Sequence, residues 1–83
     1  MRIDLFLKQS RLIKRRTVAQ QACEKGLVLV NEKQVKAGFK VKENDQITLN
    51  LGLKQIKVIV TSLKFVKDEL MYQLVSEKFM GQS

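Results

Sequence analysis

The sequence predicts an α+β fold in which two N-terminal helices pack on a small, mostly antiparallel β-sheet. Within the first 25 residues, apolar side chains recur at the three- and four-residue spacing of a helix with one buried face. From residue 26 onward they fall instead into short runs rich in β-branched residues, separated by glycine, asparagine and aspartate. A chain of 83 residues has room for one small domain, which we expect to span residues 1–83.

The first helix is predicted over about residues 2–10, because Ile3, Phe6 and Leu7 stand at positions i, i+3 and i+4. A second helix is predicted over about residues 16–25. Its apolar stripe is expected to consist of Val18, Ala19, Ala22 and Cys23.

The segment between the helices, residues 11–14, is expected to insert Leu12 and Ile13 into the core. Gly26 comes directly after the second helix and can adopt the left-handed backbone conformation at which many helices end. Both features predict that the helical pair leads directly into the sheet.

The remaining chain is predicted to form short strands joined by turns. The strands are expected at residues 27–30, 33–36, 47–51, 55–61 and 71–76. Asn31 and Glu32 suit a tight turn between the first two of them. Residues 63–70 fit either a loop or one or two helical turns, and residues 81–83 are expected to fray.

Positive charge is concentrated in the helical part of the chain. The sequence carries 16 Lys and Arg against 8 Asp and Glu, a net charge of +8, and residues 1–25 hold +5 of it. Such an excess indicates a polyanionic partner, with RNA, DNA and an anionic membrane surface as the candidates.

The densest cationic run lies between residues 11 and 16, where the second helix is predicted to begin. A helix start already favours anions through its unpaired N–H groups and its dipole. The alternative is a solvated connector, but acidic residues do not interrupt this run. The cationic residues that we expect to contact the polyanion are Arg11, Lys14, Arg15 and Arg16. Lys36, Lys40 and Lys42 would either extend this surface or only keep the strands soluble.

The residue types argue against catalysis and against a bound metal or cofactor. Histidine is absent and Cys23 is the single cysteine, so an internal disulfide is excluded and a zinc site is not expected. Paired carboxylates, a nucleophile elbow and a phosphate-cradling glycine loop are also lacking. Nothing resembles a secretory leader or a membrane span, and we therefore expect a cytoplasmic location. Among the aromatic residues, Phe39 after Gly38 is the best candidate for stacking on a base.

Four segments in the same order resemble the S4 RNA-binding domain, over about residues 2–50, with the strands at about 55–77 as additions. The segments are Arg2-Ile3-Asp4-x-Phe6-Leu7, Arg15-Arg16-Thr17-Val18-Ala19, Gly26-x-Val28-x-Val30-Asn31 and Val41-Lys42-x-x-Asp45-x-Ile47. The chain is most similar to the small stand-alone bacterial members of that family. These are the fifteen-kilodalton heat-shock protein and, more closely, the ribosome-associated quality-control factors of the RqcP type.

This resemblance implies a protein that binds ribosomal RNA of the large subunit. Separately, we expect the protein to be non-catalytic and a monomer. The resemblance further implies that the subunits are obstructed and carry peptidyl-tRNA, and that the protein supports C-terminal tailing of the stalled chain beside a tailing factor. Arg2 and Arg16 occupy arginine positions of the family and are expected to be the principal RNA contacts. Asp4 is expected to be structural, and it would orient Arg2 or Arg16 toward phosphate.

The sequence departs from the family pattern at three positions, one before the second helix and two in turns. Arg15 stands where a serine or threonine usually caps the second helix, and losing such a cap costs about 0.5–2 kcal/mol. Thr17 would offset that loss only if the helix began later. Glu32 and Asn44 replace common glycines, and asparagine tolerates the left-handed conformation that such a turn requires.

Two other functions fit the composition less well. A helix-turn-helix-like DNA-binding protein would also have two short helices with a basic turn, but its second helix would here present Gln20, Gln21 and Glu24 outward. A cationic membrane-surface peptide is disfavoured because the first helix is short and the strands would be unnecessary.

Overall fold

In the computed structural model, which describes residues 1–79, the chain forms two helices and then five strands. The elements are α1 (Ile3–Gln9), α2 (Arg16–Glu24), β1 (Val28–Val30), β2 (Lys33–Gln34), β3 (Gln46–Leu51), β4 (Lys54–Val60) and β5 (Tyr72–Phe79). The α+β class is confirmed, and both helices lie within one residue of their predicted ends. Within the described part of the chain, neither helix is long and apolar enough to cross a membrane. The expected fraying of residues 81–83 falls outside the described residues.

The five strands form one antiparallel sheet in the order β2-β1-β3-β4-β5. Val28 pairs with Leu49, and Ile47 pairs with Val58. Since side chains alternate between the two faces of a strand, this register places the buried apolar residues of β1, β3 and β4 on the same face. That face forms the sheet side of the core.

The two helices supply the other side of the core. Ile3, Phe6 and Leu7 are fully buried, as the spacing predicts. The connector also behaves as expected, because Ile13 is buried and Leu12 packs against the core at partial exposure. The buried residues of α2 are Ala19, Ala22 and Cys23.

Val18 does not join this stripe, and its prediction as a buried residue is wrong. Its side chain is 45% exposed. Val18 precedes Ala19 by one residue and therefore lies about 100° around the helix from it, at the margin of the buried face. Three small residues suffice to seat α2. Gly26 adopts the expected left-handed conformation, with φ of 74°.

A two-residue turn joins β1 to β2. Val30 pairs with Lys33, and the intervening Asn31 and Glu32 both have positive φ, at 51° and 71°. Two consecutive left-handed residues are characteristic of the turn whose twist matches a β-hairpin. Asn44 also has positive φ, at 75°. The turn before β3, where the family commonly has a glycine, therefore keeps the left-handed conformation that it requires.

Strand β2 is shorter than predicted, because the chain leaves the sheet after Gln34 and returns to the start of α1. A turn is closed there by the N–H of Phe39, which donates to the carbonyl of Lys36 at 3.0 Å. The Ile3 N–H then donates to the carbonyl of Phe39 at 2.7 Å, and Arg2 forms an antiparallel bridge with Lys40. The segment from Lys36 to Lys40 is therefore fixed against the start of α1.

The second half of the chain ends in an edge strand. Residues 63–70, which fitted either a loop or helical turns, form a loop that closes through N–H donation from Thr61 and Ser62 to the carbonyl of Met71. Strand β5 extends three residues beyond its predicted end at residue 76, and among residues 1–79 its strand partner is β4. Leu74 and Val75 on this strand are more than half exposed.

Replacing Glu32 by glycine should stabilise the fold. The left-handed conformation costs an ordinary residue about 1–2 kcal/mol, while glycine loses about 0.4–1 kcal/mol more backbone freedom on folding. The expected gain in the free energy of unfolding is about 0.5–1 kcal/mol, measured by urea denaturation. Glu43→Gly is the matched control, because Glu43 is exposed and is not among the positive-φ residues. This control should destabilise the protein, and equal effects of both substitutions would contradict the argument.

Candidate nucleic-acid interface

A buried carboxylate, that of Asp4, lies between two of the predicted RNA-binding residues, Arg2 and Arg16. Asp4 is fully buried in the first turn of α1. Its Oδ1 accepts the Leu5 backbone N–H at 2.8 Å, and its Oδ2 accepts the side-chain amide of Gln20 at 2.9 Å. Arg2 and Arg16 each reach this carboxylate at 3.3 Å. The start of α1 and the start of α2 are thus joined through one side chain.

The local sequence explains how these groups meet. Arg2 is the extended residue just before α1, so it lies beside Asp4. Arg16 is the first residue of α2, and Gln20, four residues later, shares its helix face. Gln20 was expected to point outward, and that expectation is wrong because its amide is engaged by Asp4. The four-residue spacing to Arg16 was the signal in the sequence that could have revealed it.

Both guanidinium groups remain available to solvent. The side chains of Arg2 and Arg16 are 49% and 42% exposed. One carboxylate shared by two guanidinium groups neutralises one of their two charges, so the cluster keeps a net charge of +1. Each guanidinium carries five N–H donors, and the contacts with Asp4 use only part of that capacity. We call Arg2, Asp4, Arg16 and Gln20 the Asp4 cluster.

The hydrogen bonds keep Asp4 ionised. Burial alone raises the pKa of this carboxyl group, but hydrogen bonds from Gln20, Arg16 and the Leu5 N–H together lower it more, aided by the charge of Arg16. The net result is a pKa below the ordinary value for aspartate. The side chain is therefore an anion that orients two cations rather than a proton donor.

Two further predicted residues lie next to this cluster, Lys40 in space and Arg15 along the chain. Lys40 is brought to it by the backbone bridge with Arg2. Arg15 is the residue before α2, is exposed and makes no side-chain capping hydrogen bond. Since α2 begins at Arg16, Thr17 lies inside the first turn and does not replace the missing cap.

Arg11 and Lys14 line a separate depression. It has a volume of about 500 Å³ and is lined also by Lys8, Gln9 and Phe65. Three cations and one aromatic ring thus meet between the end of α1 and the loop that precedes β5. The position of Phe65 beside these cations was not predicted from the sequence, because no local pattern indicates that this loop returns to α1.

Lys36 does not join the Asp4 cluster. It lines a second depression together with Phe39 and the β1–β2 hairpin. The predicted binding residues are therefore distributed over three areas. Within residues 1–79, hydrogen bonds and ion pairs between side chains join predicted residues in the Asp4 cluster.

Neither metal-binding nor thiol chemistry is indicated in the described part of the chain. Residues 1–79 hold no group of three or more His, Cys, Asp or Glu side chains that could bind a metal ion. Cys23 is buried in the core. Burial, and then the negative charges of Asp4 and Glu24, raise the pKa of its thiol. The neutral thiol is the form expected of an inert core residue.

Acid should weaken the fold through Asp4. Its pKa is lower in the folded state than in the unfolded chain, so its contribution is fully present above the unfolded pKa and is lost as pH falls through the folded pKa. We expect the free energy of unfolding to fall as pH drops below about 4. Asp4→Asn should cost about 1–3 kcal/mol at neutral pH and reduce this acid sensitivity.

Urea denaturation between about pH 3 and pH 7 would measure both effects. Glu43→Gln is the matched control, because it removes one negative charge from an exposed position. An unchanged acid dependence in Asp4→Asn would contradict the role assigned to this carboxylate.

Comparison with known proteins shows the family to which this chain belongs. The S4 domain family model matches residues 1–47. A protein of Halalkalibacterium halodurans is 50% identical over 64 residues, covering 77% of this chain and 73% of that protein. A Bacillus subtilis protein is 42% identical, covering 99% of this chain and 100% of that protein. Both are named RQC P-site tRNA stabilizing factor.

The fold has a solved counterpart. The structure of Vibrio cholerae Heat Shock Protein 15, described as trimeric, superposes with a TM-score of 0.82 at 25% sequence identity. The similarity covers 92% of this chain and 82% of that one. Together, the family match over more than half of the sequence and the relatives over nearly all of it confirm the resemblance seen in the four segments. The chain belongs to the S4 domain family, among the RQC P-site tRNA stabilizing factors.

Proposed function

We propose that this protein is a non-catalytic RNA-binding factor of ribosome-associated quality control in the bacterial cytoplasm. It binds ribosomal RNA of large subunits that carry an obstructing peptidyl-tRNA, helps to hold the tRNA in the P site, and so supports a tailing factor that extends the stalled chain. The names of its relatives support the tRNA and quality-control parts of this proposal. The observation that carries the binding role is the pair of half-exposed guanidinium groups oriented by Asp4.

The Asp4 cluster suits a phosphate of a folded RNA. Arginine presents its N–H donors in a planar fork that matches two phosphate oxygens. Because Asp4 already restrains Arg2 and Arg16, less side-chain freedom is lost when the phosphate binds. Contacts of this kind position a protein on its RNA and carry little sequence information. We therefore assign selectivity to the shape of the bound RNA.

The other cationic areas extend the contact. Lys40 lies next to Arg2, and Arg11 and Lys14 form a second group with Lys8. A surface of this extent would contact about five phosphates, for which log affinity should fall against log salt with a slope of about −3 to −4.

The geometry of α2 disfavours the DNA-binding alternative. A recognition helix reads base edges with side chains that project freely into the major groove. In this protein Gln20 is held by Asp4, and α2 carries a single cation, Arg16, at its first residue. An interaction centred on the two helix starts fits an irregular RNA surface better than a DNA groove.

Replacing Arg16 by alanine should weaken RNA binding broadly. We expect loss of co-sedimentation with large subunits carrying peptidyl-tRNA, and a salt slope that is shallower by about 0.7 for purified RNA. Lys25→Ala is the matched control, since it removes one positive charge just beyond the other end of α2. Arg16→Lys should recover only part of the affinity, because lysine lacks the planar fork. Normal co-sedimentation of Arg16→Ala would refute the proposal.

Asp4→Asn provides a second, independent test, which asks whether the orientation of the two arginines or the net charge of the cluster matters more for binding. This substitution adds one positive charge, which by itself should strengthen binding to RNA. We expect weaker binding instead, by about fivefold or more, because two arginine side chains lose their restraint and each costs about 0.5–1.5 kcal/mol to order. Affinities would be measured under conditions in which the circular dichroism of the variant matches the parent. Tighter binding by Asp4→Asn would rule out the orienting role.

A further inference from the structure

We infer that the depression beside Phe39 is a binding site for a single unstacked nucleobase of the RNA, an inference that rests on the proposed function. We call it the Phe39 groove and define it by its apolar residues Val30, Val35 and Phe39 and its cationic residues Lys33 and Lys36. Its volume of about 550 Å³ lies within the range of small-ligand sites, about 300–1,000 Å³.

Phe39 has the exposure and the support that a stacking platform requires. The side chain is 39% exposed, although most large apolar residues of the helices are fully buried. Its backbone is fixed on both sides, through the N–H donated to Lys36 at 3.0 Å and the carbonyl that accepts the Ile3 N–H at 2.7 Å. Because the backbone is already fixed, only the two side-chain torsions of Phe39 lose freedom when a base stacks on the ring.

The groove adjoins the Asp4 cluster. Arg2 and Lys40 form a backbone bridge directly after Phe39. A Cβ atom placed on Gly38 would lie only 3.9 Å from Nη2 of Arg2, so the guanidinium group packs against the turn that carries the ring. A strand whose phosphate binds Arg2 can therefore deliver a neighbouring base to the groove.

The chemistry of the lining favours RNA over other occupants. Lys33 and Lys36 contribute positive charge, and none of the groove-lining residues carries a carboxylate. An apolar floor with a cationic rim matches a nucleotide, which presents an aromatic face next to a phosphate. Since paired bases hide their faces within the helix stack, the groove selects loops, bulges or single strands.

The test compares Phe39→Ala with the parent protein on two probes at matched salt. The probes are a short single-stranded oligoribonucleotide and an RNA duplex of the same length. We expect Phe39→Ala to lower the affinity for the single strand by roughly 5- to 100-fold, to leave duplex affinity unchanged and to leave the salt slope unchanged. Phe39→Trp should restore the single-strand affinity, because it restores the aromatic face.

Controls separate this inference from the proposed function. Phe79→Ala removes another exposed ring on the edge strand and should leave the ratio of the two affinities unchanged. Arg16→Ala should weaken both probes and reduce the salt slope. If Arg16→Ala weakens binding but Phe39→Ala does not, the groove is not a base site and the proposed function stands. If Arg16→Ala is without effect on either probe, the proposed function fails by itself.

Two further outcomes would overturn the inference. Equal losses on single strand and duplex would mean that Phe39 acts only by holding Arg2 in place. A second copy of the chain is the other possible occupant. If sedimentation equilibrium without RNA revealed an oligomer that Phe39→Ala dissociates, the groove would be an interface between copies.

Discussion

The buried carboxylate of Asp4 is the constraint on which the rest of the architecture depends. A buried charge is tolerated only when its hydrogen-bonding capacity is filled, and an unpaired one would shift its pKa and become neutral. Here one backbone N–H and three side chains fill it. These partners come from the start of α1, the first residue of α2 and the middle of α2, so satisfying Asp4 fixes the two helices relative to each other. Fold stability and the orientation of the cationic surface are therefore set by the same bonds.

The Asp4 cluster has less positive charge than two free arginines would have, but its arginine side chains are better ordered. Asp4 cancels one of the two positive charges that surround it, which lowers the long-range attraction for RNA. In return, both guanidinium groups are restrained before any ligand arrives. Long-range attraction is supplied by the net charge of +8 over the whole chain, with Arg11, Lys14 and Lys36 in areas outside the cluster. Long-range attraction and local docking would thus depend on different residues of the protein.

The sequence was sufficient for features governed by local spacing. The i, i+3, i+4 pattern of Ile3, Phe6 and Leu7 located α1, and the Asn31-Glu32 turn located the first hairpin. It was insufficient where the packing angle decides, as for Val18 at the margin of α2 and for Gln20, which tertiary contact turns toward Asp4. The approach of Arg2 to Arg16 was expected only from the family resemblance, because the long interval between them carries no local signal of it. The same limit applies to Phe65, whose loop reaches α1 only through the completed sheet.

Strand β5 has a consequence for the behaviour of the protein in concentrated solution. Its outer row of backbone N–H and C=O groups faces away from β4. The same strand carries exposed apolar side chains, among them Leu74 and Val75. An edge of this kind is a template onto which a strand from any partly unfolded chain can add. Glu77 and Lys78 interrupt the template with charge, and the register shift in the β4–β5 pairing at Lys57 and Val58 distorts it. Protection against strand addition at this edge of the sheet therefore depends on residues of β5, far along the chain from the Asp4 cluster.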